Sequence, residues 1–401
     1  MNVRAVICQA SPVRIWGLTS TERLVRYLAK RGIPVIGEDA LPHDGTVIVL
    51  RGDHVYDDRA LDAVVDRGGI VLRPSDADRG AVGAHVEANR AEDAVHWVAT
   101  RSTESSSDVD AVSPVTLVAS TRLTLLKAQA SFAMEVTESN RRFVERFLFD
   151  ASYKGVTDCV TKWLWPPPAR WAVRLCVRCG LRPNHVTGLG FTLMVLALVL
   201  FDRGIYGWGL AAAWMMTFLD TVDGKLARTT LTSSRFGHYL DKLTDIVHPP
   251  FWYLAWAQGL VTYASPTPDI PLTTMVWSIF GFYLLGRLAE GIGSGVFVSG
   301  GLFVWRPLDS YFRLITARRN TCLLLLTGGL IGGRPDLGLW AVAAWTAATS
   351  LFLVARVGVA WKAWRNNTRE SLGSWLADVD LTAADVTRAA RLFSQRRRVQ
   401  E

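Results

Sequence analysis

Four aspartates lie close together in the chain, between two long apolar segments. The stretch from residue 219 reads LDTVDGKLARTTLTSSRFGHYLDKLTDIV and contains Asp220, Asp223, Asp241 and Asp245. YGWGLAAAWMMTF precedes it and FWYLAWAQGL follows it. In a helix, residues three or four apart share a face, so each neighbouring pair of aspartates projects together. A tight turn near 229–234 would lay the two helices antiparallel and bring four carboxylates together at their ends.

Such a cluster requires positive charge. A single Asp at the centre of a membrane helix costs about 2.5–3.5 kcal/mol, and neighbouring like charges repel each other. Lys225 and Arg228 are near, but hard divalent cations suit converging carboxylates better, and Mg²⁺ usually shares its oxygen ligands with substrate phosphates. Gly224, Ala227 and Gly237 leave space for a ligand. A proton or cation pathway in a transporter and a structural network with basic residues are the alternatives.

Long apolar runs predict the elements that position these residues. A helix needs about 20 residues to cross the hydrocarbon layer. Six segments are predicted to do so: 184–202, 205–224, 235–263, 271–298, 318–333 and 336–362. An even number places both termini on one side. Lys and Arg are concentrated on the side of the termini, so the positive-inside rule places the termini and the aspartates in the cytoplasm. We expect an integral protein of a bacterial inner (plasma) membrane.

Charge and composition limit the partners. The net charge is +8 and half of the 401 residues are hydrophobic. Much of the Lys and Arg lies beside apolar segments, which favours membrane phosphates and phosphorylated substrates. No aromatic-basic nucleic-acid motif is present, so nucleic acid is not an expected partner. After the prolines at 166–168, Arg170, Arg174 and Arg178 share one side of a helix. This pattern predicts a helix in the headgroup plane; a basic surface helix of a soluble domain is the alternative.

The first 140 residues have the pattern of a soluble α/β domain. Strand-like runs such as VRAVICQA (3–10) and TVIVLRGDHVYD (46–57) alternate with helices at 20–32 and 59–67, which predicts a parallel sheet with covering helices. The predicted fold class is an α-helical integral membrane protein with an N-terminal α/β Rossmann-like domain. The predicted domains are a cytoplasmic α/β domain at 1–140, a linker with an interfacial helix at 141–183, a six-helix membrane domain at 184–362 and a basic cytoplasmic tail at 363–401.

The spacing of the acidic stretch resembles that of a known family. It reads Asp220-x2-Asp223-Gly224-x2-Ala227-Arg228-x8-Gly237-x3-Asp241-x3-Asp245, which is similar at every fixed position to the CDP-alcohol phosphotransferase signature. Upstream, the run RPNHVT (182–187) resembles the family's PNxxT start of the first membrane helix. The resemblance covers roughly residues 150–362.

The resemblance implies a fold, a reaction and a set of site residues. Family members have six membrane helices and often form homodimers. They transfer a phospho-alcohol group from a CDP-alcohol to an alcohol or phospho-alcohol acceptor and release CMP, in the synthesis of phospholipids or related phosphodiesters. Two divalent ions, Mg²⁺ or Mn²⁺, would be held by Asp220, Asp223, Asp241 and Asp245, and Asp245 resembles the proposed general base. The residues that would bind the CDP group are Asn184, Thr187, Asp220, Gly224, Ala227, Arg228 and Gly237.

Three arginines are candidates for an acceptor site. Arg287 lies within an apolar segment, where a structural pair with Glu290 three residues on is the alternative, and Arg318 and Arg319 precede the fifth segment. The last two could clamp an acceptor phosphate, although arginines that flank a membrane helix explain them equally well. The residues leave the donor and acceptor open. A membrane cation transporter that uses the aspartates and a non-catalytic scaffold are the rival functions.

The N-terminal domain resembles a degenerate nucleotidyltransferase. The GDHVYD stretch is similar to that fold's metal-binding corner, where Asp53 would hold an ion. The first loop, CQASPVRIWGLTSTERL, lacks the G-x-G-x-x-R cradle whose backbone amides would hold a triphosphate. We expect a domain without transferase activity that docks partners, stabilises a dimer or binds a nucleotide weakly. A fused, active cytidylyltransferase remains the alternative.

Overall fold

The protein is described from a computed structural model. The structure describes residues 2–74, 80–103, 109–119, 121–232, 235–262, 271–379 and 386–394, and only the backbone of residues 121, 123, 235–243 and 262. The side chain of Asp241 and the surroundings of Gly237 therefore lie outside the described part, although α9, which carries both residues, is described.

The described residues of the N-terminal region contain twelve strands, most of them short. They are β1 (Val3–Cys8), β2 (Arg14–Ile15), β3 (Leu18–Thr19), β4 (Val35–Ile36), β5 (Thr46–Arg51), β6 (His54–Tyr56), β7 (Ile70–Leu72), β8 (Gly83–Glu87), β9 (Asp110–Val112), β10 (Thr121–Arg122), β11 (Lys127–Ala128) and β12 (Ala133–Glu135). Six form one sheet in the order β4-β1-β5-β8-β7-β9.

The sheet is mixed, so the prediction of a parallel sheet is only partly right. β1 pairs in parallel with β4 and β5, and β7 pairs in parallel with β9. β8 is antiparallel to both of its neighbours. A short hydrophobic run has the same pattern in either direction, because direction depends on the connection and not on side-chain alternation.

Fourteen α-helices are present in the described ranges. They are α1 (Ser20–Lys30), α2 (Asp58–Asp66), α3 (Ala91–Thr100), α4 (Pro114–Leu117), α5 (Arg141–Ala151), α6 (Pro166–Arg178), α7 (Pro183–Asp202), α8 (Tyr206–Thr229), α9 (Arg235–Thr262), α10 (Leu272–Ile292), α11 (Pro307–Ile315), α12 (Arg319–Ile331), α13 (Pro335–Asn366) and α14 (Arg388–Phe393). The N-terminal domain contains α1 to α4, and α1 starts at a capping box formed by Thr19 and Glu22.

The six predicted membrane segments are helices α7 to α10, α12 and α13, within a few residues of the expected bounds. Three stretches within the described ranges are long and apolar enough to cross a membrane: Pro183–Asp202, Leu272–Phe297 and Pro335–Asn366. Six crossings therefore stay a prediction. α12 has only 13 residues, and α8 carries the charged motif within its last turns.

Aromatic side chains fill the centre of the helical domain. Phe201, Tyr206, Trp252 and Trp256 are buried in one cluster. The polar atoms of these rings are bonded, because the Tyr206 hydroxyl donates to the carbonyl of Trp256 at 3.0 Å and the Trp256 indole donates to the carbonyl of Pro335 at 3.0 Å. This core fixes α7, α9 and α13 relative to each other and hence fixes the ends of the helices that carry the site.

A second apolar cluster joins the N-terminal domain to the membrane domain. It contains Trp16 from the β2–β3 turn, Val173 from α6, and Val222 and Leu226 from α8. The N-terminal domain is therefore packed directly on the helix that carries Asp220 and Asp223.

Two of the three arginines predicted to lie on the headgroup side of α6 pair with carboxylates of the protein. Arg170 donates to Asp150 at 2.9 Å and Arg174 to Glu145 at 3.4 Å, both on α5. These two guanidinium groups thus make ion pairs inside the protein. Trp171 and Leu175 of α6 are exposed, so an apolar surface is what this helix presents outwards.

The C-terminal region folds back on the rest of the chain. Leu372 forms a bridge with Val298, and the side chains of Leu376 and Phe393 are fully buried. Lys162 lies over the ring of Phe393, 5.0 Å from its centroid. The segment predicted as a basic tail thus contributes packed residues up to α14.

Candidate active site

One arginine joins two aspartates from different helices. Arg319, the first residue of α12, donates from Nη2 to Asp220 of α8 at 2.5 Å and from Nη1 to Asp245 of α9 at 2.6 Å. Asp220 is partly buried and 43% of the Asp245 side chain is exposed. The convergence of carboxylates from α8 and α9, predicted from spacing alone, is present for this pair, and an arginine supplies the positive charge that the pair requires.

Asp223 lies on the same helix and has a different environment. It is buried, and its Oδ2 accepts a hydrogen bond from the Thr187 hydroxyl of α7 at 2.7 Å. Thr187 stands in the first turns of α7 because Pro183 occupies the N1 position, where its missing N–H costs nothing. The two motifs singled out in the sequence, around 184 and around 220, are therefore in direct contact.

Most of the predicted residues line one pocket of about 250 Å³. They are Asp220, Gly224, Arg228, Asp245, Arg287, Arg318 and Arg319. The same pocket is lined by Lys154, Lys225 and Arg313, so positive side chains outnumber the carboxylates. A partly enclosed pocket of this charge attracts anions such as phosphates.

The segment before α6 supplies pocket residues that the sequence did not indicate. Lys154, Thr157, Asp158 and Thr161 line the pocket, together with Asn320 from α12. None belongs to a recognisable spacing, and the segment was assigned to a linker. Their position depends on how this segment folds onto the ends of the membrane helices.

Asp158 anchors that segment to α12. Its carboxylate accepts hydrogen bonds from the amide of Asn320 at 3.0 Å and from the Thr161 hydroxyl at 2.9 Å. Burial alone would raise the pKa of Asp158, but Arg313 and these hydrogen bonds lower it below its usual range. Asp158 is thus an anion at neutral pH and holds the rim of the pocket in place.

Three arginines form the other wall. Glu290 contacts Arg318 and lies 3.0 Å from Arg287. Burial, followed by the repulsion of Arg318, lowers the pKa of Arg313 to about 9, so that it remains charged at neutral pH. Among the atoms that the structure describes, Arg287 Nε, Arg313 Nη1 and Arg318 Nε are buried without a hydrogen-bond partner. Buried, unpaired donors of this kind are costly unless a ligand satisfies them.

Some predicted residues lie elsewhere or outside the description. Asn184 is exposed at the start of α7. Ala227 lines a second cavity, of about 330 Å³, between α1 and the end of α8. Within the described side chains, no three His, Cys, Asp or Glu groups are placed to hold a metal ion together. Asp241 is not among those side chains, and the four-aspartate metal site stays a prediction.

Asp53 of the N-terminal domain is engaged in ion pairs. Arg51 donates to it at 3.0 and 2.6 Å, and His54 Nδ1 lies 2.6 Å from it. Burial would raise the pKa of Asp53, but the hydrogen bonds of His54 and Arg51 lower it well below its usual range. The carboxylate that a nucleotidyltransferase would use for a metal is thus neutralised by protein groups here. The resemblance of this domain stays a prediction.

Long apolar helices and a charged pocket at their ends are typical of an integral membrane protein that binds anionic groups. Residues 181–289 match the family described as CDP-alcohol phosphatidyltransferase. Residues 181–289 therefore form a domain of this family, and the resemblance seen in the aspartate spacing is confirmed.

Curated relatives carry a more specific description. A phosphatidylinositol phosphate synthase of Mycobacteroides abscessus is 33% identical over 138 residues, which are 33% of this chain and 59% of that protein. One of Mycobacterium bovis is 29% identical over 226 residues, which are 54% of this chain and 90% of that protein.

Solved structures are similar over about half of the chain. The Mycobacterium tuberculosis phosphatidylinositol phosphate synthase with CDP-DAG bound is 22% identical with a TM-score of 0.33, over 48% of this chain and 92% of that one. The same enzyme in complex with manganese and citrate has a TM-score of 0.34 at 22% identity, over 49% and 88%. Similarity this low does not transfer site geometry from one protein to the other.

Proposed function

We propose that this chain transfers a phosphatidyl or phospho-polyol group from a CDP-alcohol to the hydroxyl of an acceptor and releases CMP, in the synthesis of phospholipids or related phosphodiesters. The observation that carries the proposal is the pair of carboxylates, Asp220 and Asp245, brought together from two helices beside an arginine-lined pocket. The two curated relatives described above, both named phosphatidylinositol phosphate synthases, favour a phosphatidyl donor and a phosphorylated acceptor.

The donor set fits the expected divalent ions. Hard cations such as Mg²⁺ and Mn²⁺ prefer carboxylate oxygens, and Asp220 and Asp245 are close enough to share one guanidinium group. Asp220, Asp223, Asp241 and Asp245 would hold two ions. When bound, the ions would neutralise the diphosphate of the donor and the charge that develops on the departing CMP.

The chain's own residues account for the remaining steps. Asp245 is accessible enough to accept the proton of the acceptor hydroxyl as that oxygen attacks phosphorus. Thr187 orients Asp223 through its hydrogen bond. Gly224 leaves one side of the pocket without a side chain, and the side chain nearest to it is the flexible Arg228. Arg228 would contact the cytidine diphosphate.

The acceptor end of the site is proposed to lie at Arg287, Arg313 and Arg318. Their buried, unpartnered nitrogens suit the oxygens of a phosphate, which accepts several charge-assisted hydrogen bonds at once. Arg319 was expected in this group, but its bonds to Asp220 and Asp245 place it with the aspartates. A phosphorylated alcohol is therefore the proposed acceptor.

The remaining parts of the proposal concern the whole protein. We propose six membrane crossings, with both termini and the pocket on the cytoplasmic side, and a homodimer as the working form. The N-terminal domain is proposed to be inactive as a transferase, consistent with the ion pairs of Asp53.

The test uses purified full-length protein. CDP-diacylglycerol and CDP-polyols are each mixed with Mg²⁺ and a panel of alcohols and phospho-alcohols, and the products are identified by mass spectrometry. We expect CMP release with a phosphorylated acceptor and none in chelator. Asp245→Asn should lower kcat by about 10²- to 10⁴-fold, the usual contribution of a general base. Asp202→Asn, at the exposed far end of α7, is the matched control and should leave kcat unchanged.

The rival functions give different results. A cation transporter would move ions across the membrane of proteoliposomes without consuming a CDP-alcohol. A non-catalytic scaffold would keep its function in the Asp245→Asn variant. If no donor in the panel yields CMP with Mg²⁺, or with Mn²⁺ in a parallel series, the proposed reaction is wrong. The Arg318→Ala variant tests the acceptor site. It should raise KM for a phosphorylated acceptor and leave KM for the CDP-alcohol nearly unchanged.

A further inference from the structure

Helix α1 of the N-terminal domain contacts the end of the helix that carries Asp220 and Asp223. Arg23 donates to the carbonyl of Thr229 at 2.6 Å, Arg26 to that of Thr230 at 2.9 Å, and Lys30 to that of Leu231 at 2.9 Å. Three cations of one helix thus bind three consecutive carbonyl groups. Their spacing of three and four residues places them on one face of α1.

Thr229 is the last residue of α8 and Thr230 and Leu231 directly follow it, so these carbonyls lie at the end of the helix. The last four carbonyls of a helix have no partner within that helix, and the negative end of the helix dipole favours cations there. Charge-assisted bonds of this type are the stronger class of hydrogen bond. Burial is the main cause that lowers the pKa of Arg23 to about 10, which leaves it charged at neutral pH.

A second, independent contact joins the N-terminal domain to α8. Trp16 packs in one cluster with Val222 and Leu226, which lie on α8 between Asp220 and the capped end. α8 is therefore held by the N-terminal domain along one side and at its terminus. Because the helix rises 1.5 Å per residue, the capped carbonyl of Thr229 is only about 9 Å along the axis from Asp223.

We propose that Arg23, Arg26 and Lys30 are positioning residues for the transfer reaction, with the N-terminal domain acting as a clamp on the end of α8. The clamp fixes the height and rotation of the helix that presents Asp220 towards Asp245. This inference rests on the proposed function, but the clamp itself is a physical contact that is measured without turnover. It gives the N-terminal domain a role in the reaction that requires no chemistry of its own.

A clamp of this kind acts on the rate rather than on substrate affinity. Displacement of a reacting group by about 1 Å costs up to about 100-fold in rate. The three cations do not line the pocket that contains Asp220 and Asp245, so their loss removes no substrate contact there. We expect the double variant Arg23→Ala/Arg26→Ala to lower kcat by about 10-fold or more, with KM for donor and acceptor changed less than about 3-fold.

The experiment combines hydrogen exchange with kinetics on the full-length protein in nanodiscs. In the double variant, amides in peptides from 219–232 should exchange faster, while peptides from the sheet of the N-terminal domain keep their protection. Arg23→Lys/Arg26→Lys, which keeps both donors, should restore most of the protection and of kcat. The control is Arg67→Ala. This residue lies in the same domain and pairs with Asp110, away from α1, so this variant should match the wild type.

Three results would overturn the clamp. The first is unchanged exchange at 219–232 in the alanine variant, and the second is exchange that rises equally in the sheet, which means loss of the whole domain's fold. The third is a change confined to KM. Absence of CMP release from the wild type refutes the proposed function alone, because the exchange measurement still decides whether α1 holds α8.

Discussion

At the scale of single residues, Arg319 binds one carboxylate from α8 and one from α9. Neither helix alone provides this pair. A bidentate guanidinium has a fixed geometry, so Asp220 and Asp245 are kept at a defined separation on either side of it. We infer that Arg319 sets the spacing of the aspartates, for which the sequence favours divalent ions over a network with basic residues.

Thr187 provides a test of how Asp223 is oriented. Thr187→Ala removes the 2.7 Å hydrogen bond to the buried carboxylate, which leaves one acceptor oxygen unpaired and costs about 1–3 kcal/mol. We expect about 10-fold weaker Mn²⁺ binding in a spectroscopic titration, together with a fall in kcat/KM.

The control for Thr187 lies on the same helix. Thr192 bonds only to the carbonyl of Gly188 in its own helix, at 3.1 Å, and is exposed. Thr192→Ala should leave Mn²⁺ binding unchanged, and Thr187→Ser should recover most of the affinity. Equal effects of Thr187→Ala and Thr192→Ala would contradict an orienting role for Thr187.

Asp53 should make the stability of the N-terminal domain depend on pH. Its folded pKa is lowered by His54 and Arg51, whereas an unfolded Asp has a pKa of about 3.9. Its stabilising contribution is therefore complete above about pH 5, roughly one unit above the unfolded pKa, and is lost as the pH falls towards the folded pKa. Asp53→Asn should lower the melting temperature at pH 7, and the gap to the wild type should narrow between pH 5 and pH 3.

Asp44 is the comparison for Asp53, because its side chain is exposed. Asp44→Asn should follow the wild type at every pH in the same thermal scans. If the difference in melting temperature between Asp53→Asn and the wild type stays constant with pH, the contacts of Asp53 with Arg51 and His54 contribute nothing to stability.

At the scale of elements, α12 must approach α13 closely to place Arg318 and Arg319. A Cβ added at Gly329 would lie 2.5 Å from the Cα of Gly338 and 3.0 Å from the carbonyl oxygen of Arg334. Both neighbours are backbone atoms, so neither can move away without shifting a helix. Small residues at such crossings allow helix backbones to pack in a membrane.

Gly329→Ala should therefore destabilise the α12–α13 pair. We expect a melting temperature several degrees lower and reduced CMP release, since overpacking typically costs about 1–3 kcal/mol. Gly328→Ala is the adjacent control, because a Cβ there meets nothing within 4 Å. It should be neutral or slightly stabilising, as Ala favours helix more than Gly. If Gly328→Ala lowered the melting temperature more than Gly329→Ala, close packing would be excluded as the reason for the glycine at position 329.

At the scale of the whole molecule, the proposed topology predicts which surfaces a reagent reaches. Arg203, in the connection between α7 and α8, should be external, and Lys362, near the end of α13, should be cytoplasmic. Both residues are exposed. Among the native cysteines only Cys179 is exposed, with Cys159 partly so, so Cys179→Ser is the background.

In intact cells, a membrane-impermeant thiol reagent should label the Arg203→Cys variant and not the Lys362→Cys variant. After the membrane is broken, both variants should be labelled, which controls for reactivity. Labelling of Lys362→Cys in intact cells would place the termini and the pocket outside and refute the cytoplasmic assignment.

Patterns that repeat along the chain were sufficient to predict much of this protein. Six apolar runs set the bounds of α7 to α10, α12 and α13 to within a few residues, because hydrophobic length and helical geometry are local properties. The spacing of the aspartates brought attention to Asp220 and Asp245, which line the pocket, and indicated the family. A short motif has this power because its residues share one or two helix faces.

Only the tertiary structure decided what these residues contact. The bridging role of Arg319, the pocket positions of Asp158 and Asn320, and the cap that Arg23 places on α8 join residues 74 to 206 positions apart. No periodicity in the chain connects such partners, because they meet only when separate elements pack. The direction of β8 was undecided for the same reason: side-chain alternation specifies a strand's faces, whereas its partners specify its direction.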